Sequence, residues 1–155
     1  MGIVVGPMHP LQREYVEPML RACGSVFSEE EIAVAMQMVR DAFRGDYLIL
    51  GAAAGAPLAG YCLAGRTLLT CSTWHLYWLC VHPGFRRQGV ATALHSTLAG
   101  MIRADAGERI VVETSTRADY DQARCFYRSA GYEECGRIAD YYRAGDGCIY
   151  YCKVL

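Results

Sequence analysis

The sequence predicts a single mixed α/β domain of the α+β type, spanning residues 1–155, and three observations predict it. A chain of 155 residues can bury one proper core but not two of ordinary size. Segments with helical apolar spacing are interleaved with short apolar runs bounded by turn residues. One strand is joined to the next by a helix-containing connection longer than a hairpin uses, so that pair should be parallel. With 53% hydrophobic and 20% charged residues the chain reads as compact rather than disordered, and no repeat or linker interrupts it.

The elements follow in order. A helix is expected from Leu11 to Cys23, where Tyr15, Met19, Leu20 and Cys23 recur at helical spacing before Gly24. Ser28-Glu29-Glu30-Glu31 is a capping box opening a second helix through Ile32, Ala35, Met36, Val39 and Phe43, which Gly45 ends. Two strands, Tyr47–Ala53 and Leu58–Ala64, flank the turn Ala54-Gly55-Ala56-Pro57. A third strand covers Trp74–Val81, punctuated by Pro83 and Gly84. A helix then covers Gly89–Arg103, with Val90, Leu94, Leu98, Met101 and Ile102 on one face. The short strand Arg109–Thr114 follows as the parallel neighbour of the third. A last helix, Asp121–Ala130, stops at Gly131, and strands at Tyr132–Arg143 and Cys148–Val154 flank a Gly145-Asp146-Gly147 turn.

Charge and cysteine usage exclude several classes of function. A formal net charge of -1 argues against a general nucleic-acid binder, which needs an excess of clustered Lys and Arg. No apolar run approaches membrane-spanning length, and the start Met1-Gly2-Ile3-Val4-Val5-Gly6-Pro7 has neither signal-peptide layout nor a myristoylation motif. The expected location is the cytoplasm, with no membrane partner. The eight cysteines include no zinc-type pair and the histidines are scattered, so no metal is expected. Most of the cysteines read as buried thiols, with Cys62, Cys80 and Cys125 in apolar stretches.

The segment from Val81 to Thr92 suits a diphosphate. Gly89 and Ala91 keep side chains away, the first backbone N–H groups of the following helix have no helical partners, and Arg86 and Arg87 add charge. A plain structural turn with a solvated arginine pair is the alternative. Arg86-x-x-Gly89-x-Ala91, preceded by the apolar strand Leu79-Cys80-Val81 and a proline, resembles the Gln/Arg-x-x-Gly-x-Gly/Ala signature of the GNAT superfamily of acyl-CoA-dependent N-acyltransferases. Ala123-x-x-Phe126-Tyr127-Arg128-Ser129-Ala130-Gly131-Tyr132 is similar to the family's Ala-x-x-x-Tyr-x-x-x-Gly-Phe segment, and the spacing between the two matches suits one intervening βα unit. The resemblance covers Trp74 to Tyr132, and the N-terminal third matches only in its order of elements.

That resemblance implies a mixed central sheet with a parallel strand pair splayed at the acyl-CoA site and helices on both faces. It implies acetyl-CoA as cosubstrate, held by Leu79, Cys80, Val81, Arg86, Arg87, Gln88, Gly89, Val90, Ala91, Thr92, Asp121 and Phe126. The implied activity is transfer of an acetyl group to a primary amine, directly within a ternary complex. A non-catalytic acyl-CoA sensor of the same fold is the alternative. A homodimer stays open by family analogy alone. Tyr120 stands where many relatives have Asn, and the loop Thr114–Tyr120 is longer than usual.

An alkyl amine, with a pKa of about 10, must lose a proton before it attacks a thioester. Glu113 is the candidate base, a carboxylate emerging from the apolar strand Ile110-Val111-Val112. A strand-end cap or an arginine partner is its alternative role, and His75 on the preceding strand is its competitor as base. Tyr127, by the resemblance, donates a proton to the coenzyme A sulfur. Its alternative is a core tyrosine beside Phe126. A backbone N–H of Leu79, Cys80 or Val81 would meet the oxyanion, and an acyl-cysteine at Cys80 or Cys125 is disfavoured for want of an activating histidine nearby in sequence. The amine acceptor, a small molecule or a peptide, should lie between the N-terminal helices and the late strands. Tyr77, Trp78, Tyr141 and Tyr142 would frame it, with Asp140 or Glu29-Glu30-Glu31 for charge.

Overall fold

The computed structural model describes residues 2–155. One seven-stranded sheet runs in the order β1-β2-β3-β4-β5-β7-β6, built from β1 (Val4–Pro7), β2 (Leu48–Ala53), β3 (Gly60–Arg66), β4 (Thr73–Val81), β5 (Arg109–Ser115), β6 (Glu133–Arg143) and β7 (Asp146–Val154). All neighbours are antiparallel except β4 and β5, the parallel pair that the helical crossover demands. Among the described residues, no helix is long and apolar enough to cross a membrane.

Helices cover both faces. On one, α3 (Val90–Ala104) lays Val90, Leu94, Leu98 and Ile102 on Leu50, Cys62, Leu76 and Ile110, and α4 (Asp121–Ser129) adds Tyr127. On the other, α1 (Val16–Ala22) and α2 (Glu29–Ala42) bury Val16, Leu20, Ile32, Ala35 and Val39 on Ile49, Tyr61, Leu63 and Cys80. The α2 capping box forms as expected: the Glu31 N–H donates to Ser28 Oγ at 3.2 Å, and the Ser28 N–H to Glu31 Oε2 at 2.7 Å.

Three local expectations are corrected. The helix expected from Leu11 is a 3-10 turn over Pro10–Tyr15 followed by the short α1, because the ring of Pro18 would collide with the carbonyl four residues earlier unless it sits in a first turn. β1 has no counterpart among the expected elements. It is a four-residue edge strand ending in Gly6-Pro7, a composition that disguises a strand. The last hairpin turns one residue earlier than expected, and Asp146 already belongs to β7, buried where it accepts a hydrogen bond from the Ser115 hydroxyl.

The feature that shapes the site is in β4. Leu63 faces Trp78 while Ala64 faces Leu76, so Tyr77 is a surplus residue, a bulge. Before it, Trp74 and Leu76 point to the α3 side. After it, Leu79 and Val81 pack on that side while Trp78 and Cys80 join the α1–α2 side.

Candidate active site

β4 and β5 pair only at Thr73/Arg109, Trp74/Ile110 and His75/Val111. Beyond that point they diverge, and the β4 backbone from Leu76 to Val81 has no strand partner on its β5 side, leaving main-chain polar groups open to a ligand. The gap opens into a cleft of about 1240 Å³, walled by both strands, α3, α4 and the segment between α1 and α2.

At one end lies the turn into α3. Gly89 has φ of 84°, a left-handed conformation that a side chain would strain, and it starts α3 with no side-chain cap. The first helical bond there is from the Ala93 N–H to the Gly89 carbonyl, so the amides of Gly89 to Thr92 have no helical acceptor. Arg86, Arg87, Val90, Ala91 and Thr92 all line the cleft around them. Together these donors and cations fit a diphosphate, and the open β4 edge fits an amide-bearing arm.

Of the residues expected to hold the cosubstrate, Leu79, Cys80, Val81, Gly89 and Phe126 also line the cleft, while Gln88 and Asp121 do not. The exposed Gln88 side chain folds back on its own turn and donates to the Gly84 carbonyl at 3.1 Å, and the Asp121 carboxylate is taken by Arg124.

Tyr127 and Glu113 reach the cleft from opposite sheet faces. Tyr127 is buried beneath α4, and burial raises its phenol well above the ordinary tyrosine value, with charges on Cys62 and Tyr120 adding to the effect. Glu113 projects to the α1–α2 side, where its Oε1 lies 4.0 Å from His75 Nε2. Burial lowers the pKa of His75 while the Glu113 charge opposes the shift, and its ring stacks on Tyr77 at 4.5 Å. The two residues read as rival bases thus share one place.

Of the acceptor candidates, Tyr77, Trp78, Tyr142, Glu30 and Glu31 line the cleft. Glu29 is instead paired with Arg21 at 2.7 Å, Asp140 accepts the Gly145 N–H at 2.7 Å within the last hairpin, and Tyr141 packs edge-on against Tyr142 and Tyr150. Sequence reasoning missed Phe27 and Arg117, which also line the cleft. Arg117 Nη2 donates to the Val26 carbonyl at 2.9 Å, tying the loop after β5 to the turn before α2 across 91 residues of sequence, a link no local pattern signals. Tyr120, noted only for replacing an asparagine, lines the cleft beneath the Arg117 guanidinium at 5.3 Å.

Cys125 is exposed on α4, a correction to its reading as a buried thiol. The inward face of that helix is taken by Arg124 and Tyr127, and Cys71 and Cys135 are exposed too. Cys23, at the end of α1, lines the arginine end of the cleft with its sulfur 3.8 Å from Cys80 Sγ and 3.4 Å from Arg86 Nη2. The hydrogen bond with Cys80 and the Arg86 charge hold Cys23 below the usual thiol range against the opposing effect of burial, while Cys80 is pushed up.

The family described as Acetyltransferase (GNAT) domain matches residues 15–145. Among solved structures, a protein of the GNAT acetyltransferase family from Desulfovibrio desulfuricans is 27% identical with a TM-score of 0.91, covering 99% of each chain. An aminoglycoside 6'-N-acetyltransferase complexed with coenzyme A is 15% identical with a TM-score of 0.79, covering 97% of this chain and 96% of that one. A chain of the NatC complex bound to Gag peptide and CoA is 16% identical with a TM-score of 0.78, covering 100% and 99%. At those identities the last two likenesses carry the fold alone. No curated protein matches the chain at a significant level.

Proposed function

Since the chain belongs to the GNAT acetyltransferase family, we propose that it transfers an acetyl group from acetyl-CoA to a primary amine, directly, within a ternary complex. The observation that carries this reading is the gap beyond His75/Val111. One cleft there joins an uncapped helix start with two arginines to a tyrosine on one face and a carboxylate on the other.

Arg86, Arg87 and the amides from Gly89 to Thr92 hold the diphosphate, and the open backbone of Leu79 to Val81 pairs with the pantetheine amides. The bound cosubstrate supplies the activated acetyl group. A backbone N–H of the same stretch of β4 stabilises the charge that develops on the carbonyl oxygen. On the opposite face Glu113 takes the proton of the attacking amine. His75, kept largely neutral by burial, is placed to share that proton.

Tyr127 donates to the departing sulfur. A phenol's ordinary pKa of about 10 already lies above a thiol's of about 8.5 and burial raises it further, so the phenol stays protonated and stabilises the thiolate by hydrogen bonding, full proton release being uphill. Glu30 and the exposed faces of Tyr77 and Tyr142 suit a cationic amine. The neighbours with named ligands include an aminoglycoside acetyltransferase and a complex bound to a peptide, so likeness of fold does not choose between those two acceptor classes.

The test is a screen of amines with acetyl-CoA that follows release of free thiol, beside calorimetry of coenzyme A. Thiol release dependent on one amine class supports the reading. Coenzyme binding with no release for any amine favours the acyl-CoA sensor, and no binding at all removes both.

A further inference from the structure

We propose that Cys23 and Cys80 form a peroxide-reactive dithiol at the arginine end of the cleft, in which Cys23 attacks a hydroperoxide and Cys80 resolves the product to a disulfide. Three observations carry it. The two sulfurs lie 3.8 Å apart although 57 residues separate them in sequence, and no other pair of cysteine sulfurs makes such a contact among the described residues. The Arg86 guanidinium sits 3.4 Å from Cys23 Sγ, a cation placed to favour the thiolate, which is the nucleophilic form. Both residues border the cleft, but Cys23 is partly exposed whereas Cys80 is buried, the order that an attacking and a resolving thiol require.

The lowered pKa of Cys23 and the raised pKa of Cys80 agree with that division of labour. Tyr61, fully buried in the same core cluster as Cys80, has a hydroxyl with no hydrogen-bond partner, an unused polar group next to the pair. The acetyl-transfer mechanism uses neither thiol side chain.

The steps balance. The Cys23 thiolate attacks the terminal peroxide oxygen and an S–O bond forms as the O–O bond breaks. Sulfur is oxidised to the sulfenic acid, and the other peroxide oxygen leaves as alkoxide or hydroxide beside Arg86. The Cys80 thiol then attacks Cys23 Sγ, an S–S bond forms, and the sulfenic hydroxyl leaves with the thiol proton as water. Closure brings sulfurs already in contact from 3.8 Å to a bond of about 2.05 Å. The disulfide removes the negative partner of Arg86 and fastens the end of α1 to β4, so the site couples peroxide exposure to the segment that flanks the diphosphate turn.

The experiment uses the free protein, so its result does not depend on whether acetyl transfer occurs. Dilute hydrogen peroxide is added and the products are followed by intact mass and peptide mapping. The expected product is two hydrogens lighter and maps to a Cys23–Cys80 linked peptide. It forms about tenfold faster than oxidation at the exposed Cys71, Cys125 or Cys135. In Cys80→Ser, or in Cys80→Ala should the hydroxyl disturb the core, the sulfenic-acid trap dimedone labels Cys23 in place of the disulfide, and in Arg86→Gln the first step slows severalfold. Oxidation of the exposed cysteines at the same rate as Cys23, or a disulfide that does not include Cys80, overturns the proposal.

Discussion

Glu113 Oε1 and His75 Nε2 face each other at 4.0 Å on the α1–α2 side of the sheet, one on each strand of the parallel pair, just where that pair stops being hydrogen-bonded. If the carboxylate is the base, Glu113→Gln lowers kcat/KM at neutral pH by about 100-fold or more, and His75→Gln lowers it less. Neither change alters the calorimetric Kd for coenzyme A, because both residues lie on the face away from the diphosphate turn. The reverse order of losses would move the base to His75.

Tyr127→Phe removes one hydroxyl from a buried ring and keeps its packing. The expected loss in kcat is about 10- to 100-fold, with coenzyme affinity within about twofold and a similar melting temperature. Because burial raises the phenol pKa, the wild-type rate should show no alkaline fall from this group up to about pH 9. Unchanged kcat in the phenylalanine variant would take Tyr127 out of the chemistry.

Gly89→Ala tests the turn. The added methyl has room, since its nearest neighbour would be Ile3 Cδ1 at 3.8 Å, yet φ of 84° places the new Cβ in the left-handed region. The cost is about 1–2 kcal/mol if the turn holds, a Tm lower by about 2–8 °C. If the turn instead relaxes, stability recovers and coenzyme binding weakens about tenfold or more, which thermal unfolding and calorimetry read separately.

His95 gives the fold a dependence on acid. It is buried, its Nε2 lies 3.0 Å from the Tyr132 hydroxyl, and burial first, then the charges of Lys153 and Arg103, hold its pKa down to about 4. The unfolded chain, with an ordinary histidine pKa of about 6.5, binds this proton more readily, so the neutral ring contributes stability above that value. The contribution is lost as pH falls from about 6.5 toward about 4, by at most about 3 kcal/mol. Urea unfolding at pH 7 and pH 4.5 should differ by most of that amount. His95→Gln should flatten the difference while leaving other acid-sensitive groups in place.

Local chemistry wrote its elements plainly. Ser28 and Glu31 mark a helix start by residue type and spacing alone, and the apolar stripe of α3 and the glycine before it are as direct. The α1 boundary is hidden from periodicity, which runs on through Pro18 although its ring fits only in a first helical turn. The site was legible on its coenzyme side, where Arg86, Gly89 and Ala91 are close in sequence. Its acceptor side was less so, because Arg117 reaches Val26 and Cys23 reaches Arg86 only through the folded sheet. Cys125 looked internal because its neighbours Phe126 and Tyr127 are apolar, although a helix turns about 100° per residue and carries it outward.

The extra residue at Tyr77 makes β4 a partition whose two compartments exchange tenants at one position. Which chamber a side chain beyond it serves is decided by counting, not by its chemistry: drawing Tyr77 into a regular ladder, with Trp74 and Leu76 held in place, would transpose Leu79 and Cys80. The thiol would then be carried into the α3 core, away from Cys23, and a leucine would stand in the other room.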